Sequence, residues 1–183
     1  MFVSSVALTT SDKGGIAELK IAAAAASLGI VVARPMVEGR RYDLIFDTGP
    51  ELLRVQCKAG KRDGDIVRAR LSTSRHTPRG YVTSTYTPDE IEGFAIYCPE
   101  LDECYYVPIR DVLGRAHLHL RLHPARNNQT QGVKMAAEYR FGAIAQLGER
   151  LAGSQKVVGS SPTSSTEEQA VHQGGLFSFR DSA

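Results

Sequence analysis

The sequence predicts one α/β domain with a short appended tail, and three observations carry that prediction. Residues 13–28 (KGGIAELKIAAAAASL) form a strong helix signal. A series of short β-rich segments separated by turn residues follows it, and from residue 143 the periodic apolar pattern stops while serine and glycine accumulate. A chain of 183 residues has room for one compact domain and an extension. Its hydrophobic share of 42% and charged share of 23% are those of an ordinary globular protein.

The helix is dense in alanine and other good helix formers, has Glu18 in its early turns, and stops at Gly29. Strands are expected at 30–34, 42–46, 52–58 and 66–71, short segments punctuated by Gly39, Thr48-Gly49-Pro50 and Arg62-Asp63-Gly64. Tight turns between successive strands predict an antiparallel meander. Residues 73–88 show little periodicity and contain Pro78, Gly80 and Pro88, so a loop bordering a cleft is expected there. Two further strands, 94–97 and 104–108, a short helix at 109–113, a strand at 118–122 and a closing helix at 133–141 complete the domain. Residues 143–183 read as a flexible tail. Residues 142–151 and 159–162 can be encoded by stretches resembling the D-arm and T-arm of a tRNA gene, in one frame and in order, which points to read-through into such a gene.

Composition excludes several classes. The longest apolar run, 21–28, is far shorter than the roughly 20 residues that cross a bilayer, so no membrane partner is expected. The first ten residues lack the basic flank and apolar stretch of a secretion signal. Cys57, Cys98 and Cys104 form neither an even disulfide set nor a CxxC pair, which suits a reducing, cytoplasmic setting. The net charge of +2 conceals a local concentration: between Arg54 and Arg79 stand eight cations (Arg54, Lys58, Lys61, Arg62, Arg68, Arg70, Arg75, Arg79) and two anions (Asp63, Asp65). Such a run suits a phosphate backbone, though taken alone it more often marks a solvated hairpin face.

One set of residues carries chemistry. Phosphodiester hydrolysis needs a divalent cation on hard oxygen ligands, a water aimed in line, and a positive charge at the transition-state phosphate. Asp43 begins one expected strand, and Gln56-Cys57-Lys58 closes the next. Side chains alternate along a strand, so Gln56 and Lys58 share one face while Cys57 turns into the core and offers only its carbonyl. A hairpin sets Asp43 beside that pair, and the helix can bring Glu18 to the same side.

These residues resemble the PD-(D/E)XK nuclease superfamily, whose members include restriction enzymes, junction resolvases and homing endonucleases. Lys13-Gly14-Gly15-Ile16-Ala17-Glu18 is similar to the first-helix glutamate motif and Arg41-Tyr42-Asp43-Leu44-Ile45-Phe46-Asp47 to the metal-binding aspartate strand. Val55-Gln56-Cys57-Lys58 resembles the QxK variant of a branch associated with group I introns, and 94–99, 105–108, 120–122 and 127–129 fit the same branch. The likeness covers residues 12–142; Arg41-Tyr42 stands where a proline is usual before the aspartate. It implies a restriction-endonuclease-like core with a mixed central sheet flanked by the first and closing helices. It further implies Mg²⁺ or Mn²⁺ held by Asp43, Gln56 and the Cys57 carbonyl, with Glu18 acting through a water and Lys58 at the phosphate. The expected partner is double-stranded DNA, with Arg54, Lys61, Arg62, Arg68, Arg70, Arg75 and Arg79 as its contacts. Symmetric cutting of two strands implies a homo-oligomer, a dimer or tetramer. Two alternatives remain: a Holliday-junction resolvase of the same fold, and a non-catalytic DNA-binding module in which Gln56 marks a lost ligand. His117, His119 and His123 suggest a second metal cluster less well than they suggest a half-exposed strand, and Lys13-Gly14-Gly15 lacks the spacing of a phosphate-binding loop.

Overall fold

The computed structural model describes residues 7–78, 80–124 and 132–142, apart from the Arg75 side chain. Helix α1 spans Thr10–Ser27 and begins ahead of the alanine-rich run because Thr9 and Asp12 form a capping box. Asp12 N–H donates to Thr9 Oγ1 (3.1 Å) and Thr9 N–H donates to Asp12 Oδ2 (2.8 Å). Pairing these first-turn donors offsets the cost of Gly14 and Gly15, about 1 kcal/mol each relative to alanine inside a helix. Gly29, with φ +79°, turns the chain out of the helix.

Eleven strands follow among the described residues: β1 Val31–Ala33, β2 Leu44–Asp47, β3 Leu52–Ala59, β4 Lys61–Asp63, β5 Ile66–Arg70, β6 Thr73–Thr77, β7 Gly80–Ser84, β8 Gly93–Cys98, β9 Glu103–Pro108, β10 His117–Arg121 and β11 Lys134–Met135. The central sheet has the order β1-β2-β3-β8-β9 and is mixed, since β3 and β8 run parallel while its other neighbours are antiparallel. A second sheet, β11-β10-β5-β4, lies across one face, and β6 and β7 form a separate two-stranded ribbon.

The expected meander therefore holds only from β1 to β3. At Gly60 the chain leaves the central sheet and folds back over it; a Cβ there would stand 2.9 Å from Ile96 Cγ2 and 3.3 Å from Val67 Cγ1, so the crossing requires glycine. The neighbour of β3 is β8, whose six residues are all buried, the continuous pattern of a strand covered on both faces. Three further expectations are corrected. Residues 73–88 contain the β6–β7 ribbon; their β-forming Thr, Tyr and Val lie on two paired strands, while solvent on both faces leaves no alternation to read. Residues 133–141 form no α-helix, only β11 and a 3₁₀ turn, Ala136–Tyr139. Phe141 N–H donates to Cys104 O (3.1 Å) and Arg140 bridges to Tyr105, which holds this stretch along β9. A segment of nine residues is too short to form a helix unaided against those contacts. Residues 109–113 likewise shorten to a 3₁₀ turn, Ile109–Asp111.

The central sheet thus separates two apolar layers. Ala17, Ile21 and Ala25 of α1 cover Leu44, Phe46, Val55, Cys57 and Ala95 on one face. On the other, Val67, Ala69, Leu118 and Leu120 of the second sheet pack on Phe94, Ile96, Tyr105 and Val107. The second sheet takes the place expected for the closing helix. No helix of the described residues is long and apolar enough to cross a membrane. The serine-rich stretch 143–183 lies outside the described residues.

Candidate active site

β3 outruns β2, and the site occupies the step between them. Asp43, the residue before β2, is tied to β3 by its own N–H, which donates to Val55 O (2.9 Å). Beyond Val55 the edge of β3 has no strand beside it. There the Asp43 carboxylate takes the place of a strand neighbour: Oδ2 accepts from Cys57 N–H (2.8 Å) and from the Gln56 side-chain Nε2. The N–H and C=O of a strand residue point to the same side, so the Cys57 carbonyl faces the same opening as its N–H. Gln56 Nε2 lies 3.4 Å from that carbonyl, and Gln56 is only 7% exposed.

The Cys57 side chain packs beneath α1, where burial pushes its thiol pKa up and leaves it without nucleophilic character. Lys58 projects from the opposite face toward Tyr86, its Nζ 5.5 Å from the ring centroid. Burial lowers the Lys58 pKa, opposed by the neighbouring Asp43 charge. Glu18 reaches the site from α1 and forms an ion pair with Arg34 (3.0 Å). Burial raises the Glu18 pKa, the charge of Asp43 raises it further, and Arg34 opposes both. For Asp43, burial raises the pKa against the Cys57 N–H, Lys58 and Gln56. A carboxylate whose charge is disfavoured by a second one, in a cleft of about 160 Å³ lined by Glu18, Arg34, Glu38, Arg40, Tyr42 and Asp43, makes a place suited to a cation.

The donor set fits a hard divalent ion. Among the described residues no three of His, Cys, Asp and Glu gather closely enough to hold a metal by themselves. The set here is different: the Asp43 carboxylate, the Cys57 carbonyl and the Gln56 amide oxygen, with Glu18 nearby. Gln56 now turns its NH₂ toward Asp43 and the Cys57 carbonyl. Rotating that amide by half a turn exchanges nitrogen for oxygen and directs three oxygens into one opening.

Several neighbours escaped the sequence reading. Arg41 stacks on Tyr86 (4.0 Å to the ring centroid), pairs with Glu90 (2.9 Å) and donates to Thr85 O (2.7 Å). Tyr86 thus has Arg41 and Lys58 against one ring. It sits in the aperiodic stretch 73–88, where nothing local distinguishes it from a loop residue. Arg34 gave only a strand-end signal.

Among the described residues, the expected DNA contacts are spread over separate elements. Arg54 is clamped by Glu92 (2.5 Å) and by the Asp89 carbonyl, so its charge is neutralised within the fold. Lys61, Arg68 and His119 align across the exposed face of the second sheet, with Arg70 and His117 in the next row; Arg68 pairs with Asp63 (3.5 Å). The Arg62 guanidinium donates to Gly64 O (3.0 Å). Arg70 lies near enough to Lys58 to depress its pKa and donates to Ser72 (3.0 Å) and Ser74 (2.5 Å). Arg79 and the Arg75 side chain lie outside what is described. His117 and His119 stand among cations, an unfavourable setting for a further one, and His123 pairs with Asp65 (2.5 Å).

The PD-(D/E)XK endonuclease family model matches residues 8–142, a span that includes α1, Asp43 and the whole Gln56–Lys58 strand end. The chain belongs to the PD-(D/E)XK endonuclease family. Among solved structures, this PD-(D/E)XK chain is similar to the bacterial homing endonuclease I-Ssp6803I, with a TM-score of 0.65 and 25% identity over 82% of this chain and 100% of that one. No curated protein shows significant sequence similarity to it.

Proposed function

We propose that this endonuclease is metal-dependent, cleaves double-stranded DNA and is of the homing type, in the QxK branch associated with group I introns. The observation that carries the reading is the joining of Asp43 to Gln56 and Cys57 at the open edge of β3, with Glu18 and Lys58 on either side. The similarity to a bacterial homing endonuclease supports the homing assignment.

Asp43 is the principal ligand for Mg²⁺ or Mn²⁺, completed by the Cys57 carbonyl and the Gln56 amide oxygen. When bound, the ion supplies Lewis acidity at the phosphate and lowers the pKa of a water. Glu18, held by Arg34, orients the attacking water. Lys58 places its ammonium against the non-bridging phosphate oxygens as negative charge grows on them, and its burial strengthens that interaction by excluding water. Arg70 extends positive charge outward from Lys58 along the path of the strand. One site cuts one strand, so cleavage of both calls for a second copy of the chain.

Incubation with supercoiled plasmid tests the reading. Nicked and then linear products are expected with Mg²⁺ or Mn²⁺, none with EDTA, and none from Asp43→Asn in either ion. Absence of cleavage by the wild type in both ions, or cleavage that persists in EDTA, overturns it. A branched substrate set beside the linear one separates a homing enzyme from a junction resolvase.

A further inference from the structure

Among the described residues, the β6–β7 ribbon joins neither of the larger sheets and enters neither core layer. Its strands pair only with each other, and none of its described side chains is buried. An isolated two-stranded ribbon is marginally stable in water at best, and this one contributes no residue to either core layer. Yet both of its roots are anchored at the candidate site. At the start of β6, Arg70 donates to Ser72 and Ser74. At the end of β7, Arg41 donates to Thr85 O and stacks on Tyr86, against which Lys58 also lies. A phosphodiester seated at Lys58 therefore brings its duplex against the ribbon.

Cross-strand register sorts the side chains. Ser74 faces Thr83, their hydroxyls 3.0 Å apart, and His76 faces Tyr81 edge to face at 5.1 Å. These four share one face, and Tyr81 is 79% exposed. Residues 73–84 contain Arg75 and Arg79 and no acidic residue, the charge that complements a phosphate backbone.

We propose that the β6–β7 ribbon enters the major groove of duplex DNA and reads base edges with the face formed by Ser74, His76, Tyr81 and Thr83. The inference rests on the DNA-nuclease reading above and adds the element that selects sequence. The major groove, about 12 Å wide and 8.5 Å deep, admits a two-stranded ribbon. Hydroxyls and an imidazole supply both donors and acceptors for base edges, and the exposed tyrosine ring adds an apolar contact for a thymine methyl. Five residues per strand span about 17 Å, the length of roughly five stacked base pairs.

The test uses the full chain and a duplex pool randomised across the binding footprint, selected for binding in EDTA so that no strand is cut. The wild type is expected to enrich defined bases. A variant combining Ser74→Ala, His76→Ala, Tyr81→Ala and Thr83→Ala should lose that enrichment over roughly five adjacent base pairs. Its salt dependence of binding should stay the same, because no arginine or lysine is removed. Circular dichroism and a melting curve close to wild type verify folding, and Tyr81→Phe, which keeps the ring, should retain most of the enrichment. Unchanged enrichment in the combined variant overturns the proposal, as does a wild type that selects no sequence. A variant that changes oligomeric state while keeping its base preference also overturns it and assigns the ribbon to a second copy. Selection needs no cleavage, so a failure here is distinct from a failure to cut plasmid in Mg²⁺.

Discussion

Replacing Lys58 by methionine separates the charge of that side chain from its packing. Methionine keeps a flexible apolar stem beside Tyr86 and removes only the ammonium. The cation–π contact with Tyr86, 5.5 Å to the ring centroid, is lost, which costs about 1 kcal/mol. Against this, an ammonium whose pKa is lowered by burial is itself penalised in the fold, and methionine carries no such penalty. The two effects oppose each other, so the melting temperature should stay within about 3 °C of wild type. Catalysis has no such compensation. Removing one preorganised positive group from a transition state costs on the order of 10²- to 10³-fold, or about 3–4 kcal/mol. Binding loses one cation among several, so affinity for plasmid-length duplex should fall less than roughly tenfold, and the slope of log K against log salt by about 0.9. Thermal unfolding, single-turnover cleavage with enzyme in excess and fluorescence anisotropy across a salt series read these four quantities. A cleavage rate within tenfold of wild type would refute the assignment of Lys58 to the phosphate. A melting temperature lower by ten degrees or more would show that Lys58 holds the fold instead.

Other perturbations test the ligands, the packing and the tail. Gln56→Glu adds a third carboxylate beside Asp43 and Glu18, so Mn²⁺ binding should tighten on the order of tenfold by calorimetry while the melting temperature in EDTA falls; unchanged affinity would place Gln56 outside the ligand set. Gly93→Ala drives a Cβ to within 2.6 Å of the Tyr106 ring in the middle of the central sheet, an overpacking worth about 1–3 kcal/mol, and thermal unfolding with no loss of stability would show that the ring moves aside freely. Ile21→Ala removes the fully buried contact of α1 with the sheet and should cost about 2–5 kcal/mol, read as a lower denaturant midpoint. Truncation after Gly142 removes no residue of the candidate site, and the segment lost has little apolar periodicity, so cleavage and melting should match the full chain; lost activity would make residues 143–183 part of the working enzyme.

Local pattern was enough for some elements and silent about others. Sequence periodicity places α1 and strands β2 and β3, because alanine density and side-chain alternation are properties of a dozen neighbouring residues. The same alternation puts Gln56 and Lys58 on one face and Cys57 on the other, so the candidate site could be assembled before any partner strand was known. What lay beyond the pattern is of two kinds. The capping box of Thr9 and Asp12 is a local signal that stands ahead of the alanine-rich run on which the helix was placed. Arg34, Arg41 and Tyr86 had no local signal at all. Tyr86 acquires its place only when the chain returns from the β6–β7 ribbon and sets its ring against Arg41 and Lys58.

The sequence by itself determined which residues alternate, which segment is helical, and which acidic, amide and basic groups stand at the spacing of a nuclease strand. The tertiary structure decided which strands meet. Val55 pairs with Gly93 and β5 crosses to a second sheet, since alternation records how a strand is buried and carries no information about its neighbour. Residues 133–141 show the same limit. Their apolar spacing suits a helix, but Ala136 and Phe141 are buried and the Phe141 N–H bonds to Cys104 O. A short helix is marginal alone, so contacts made across the fold, some forty residues away in sequence, outweigh local preference and hold the segment as a short strand and a 3₁₀ turn whose end is tied to β9.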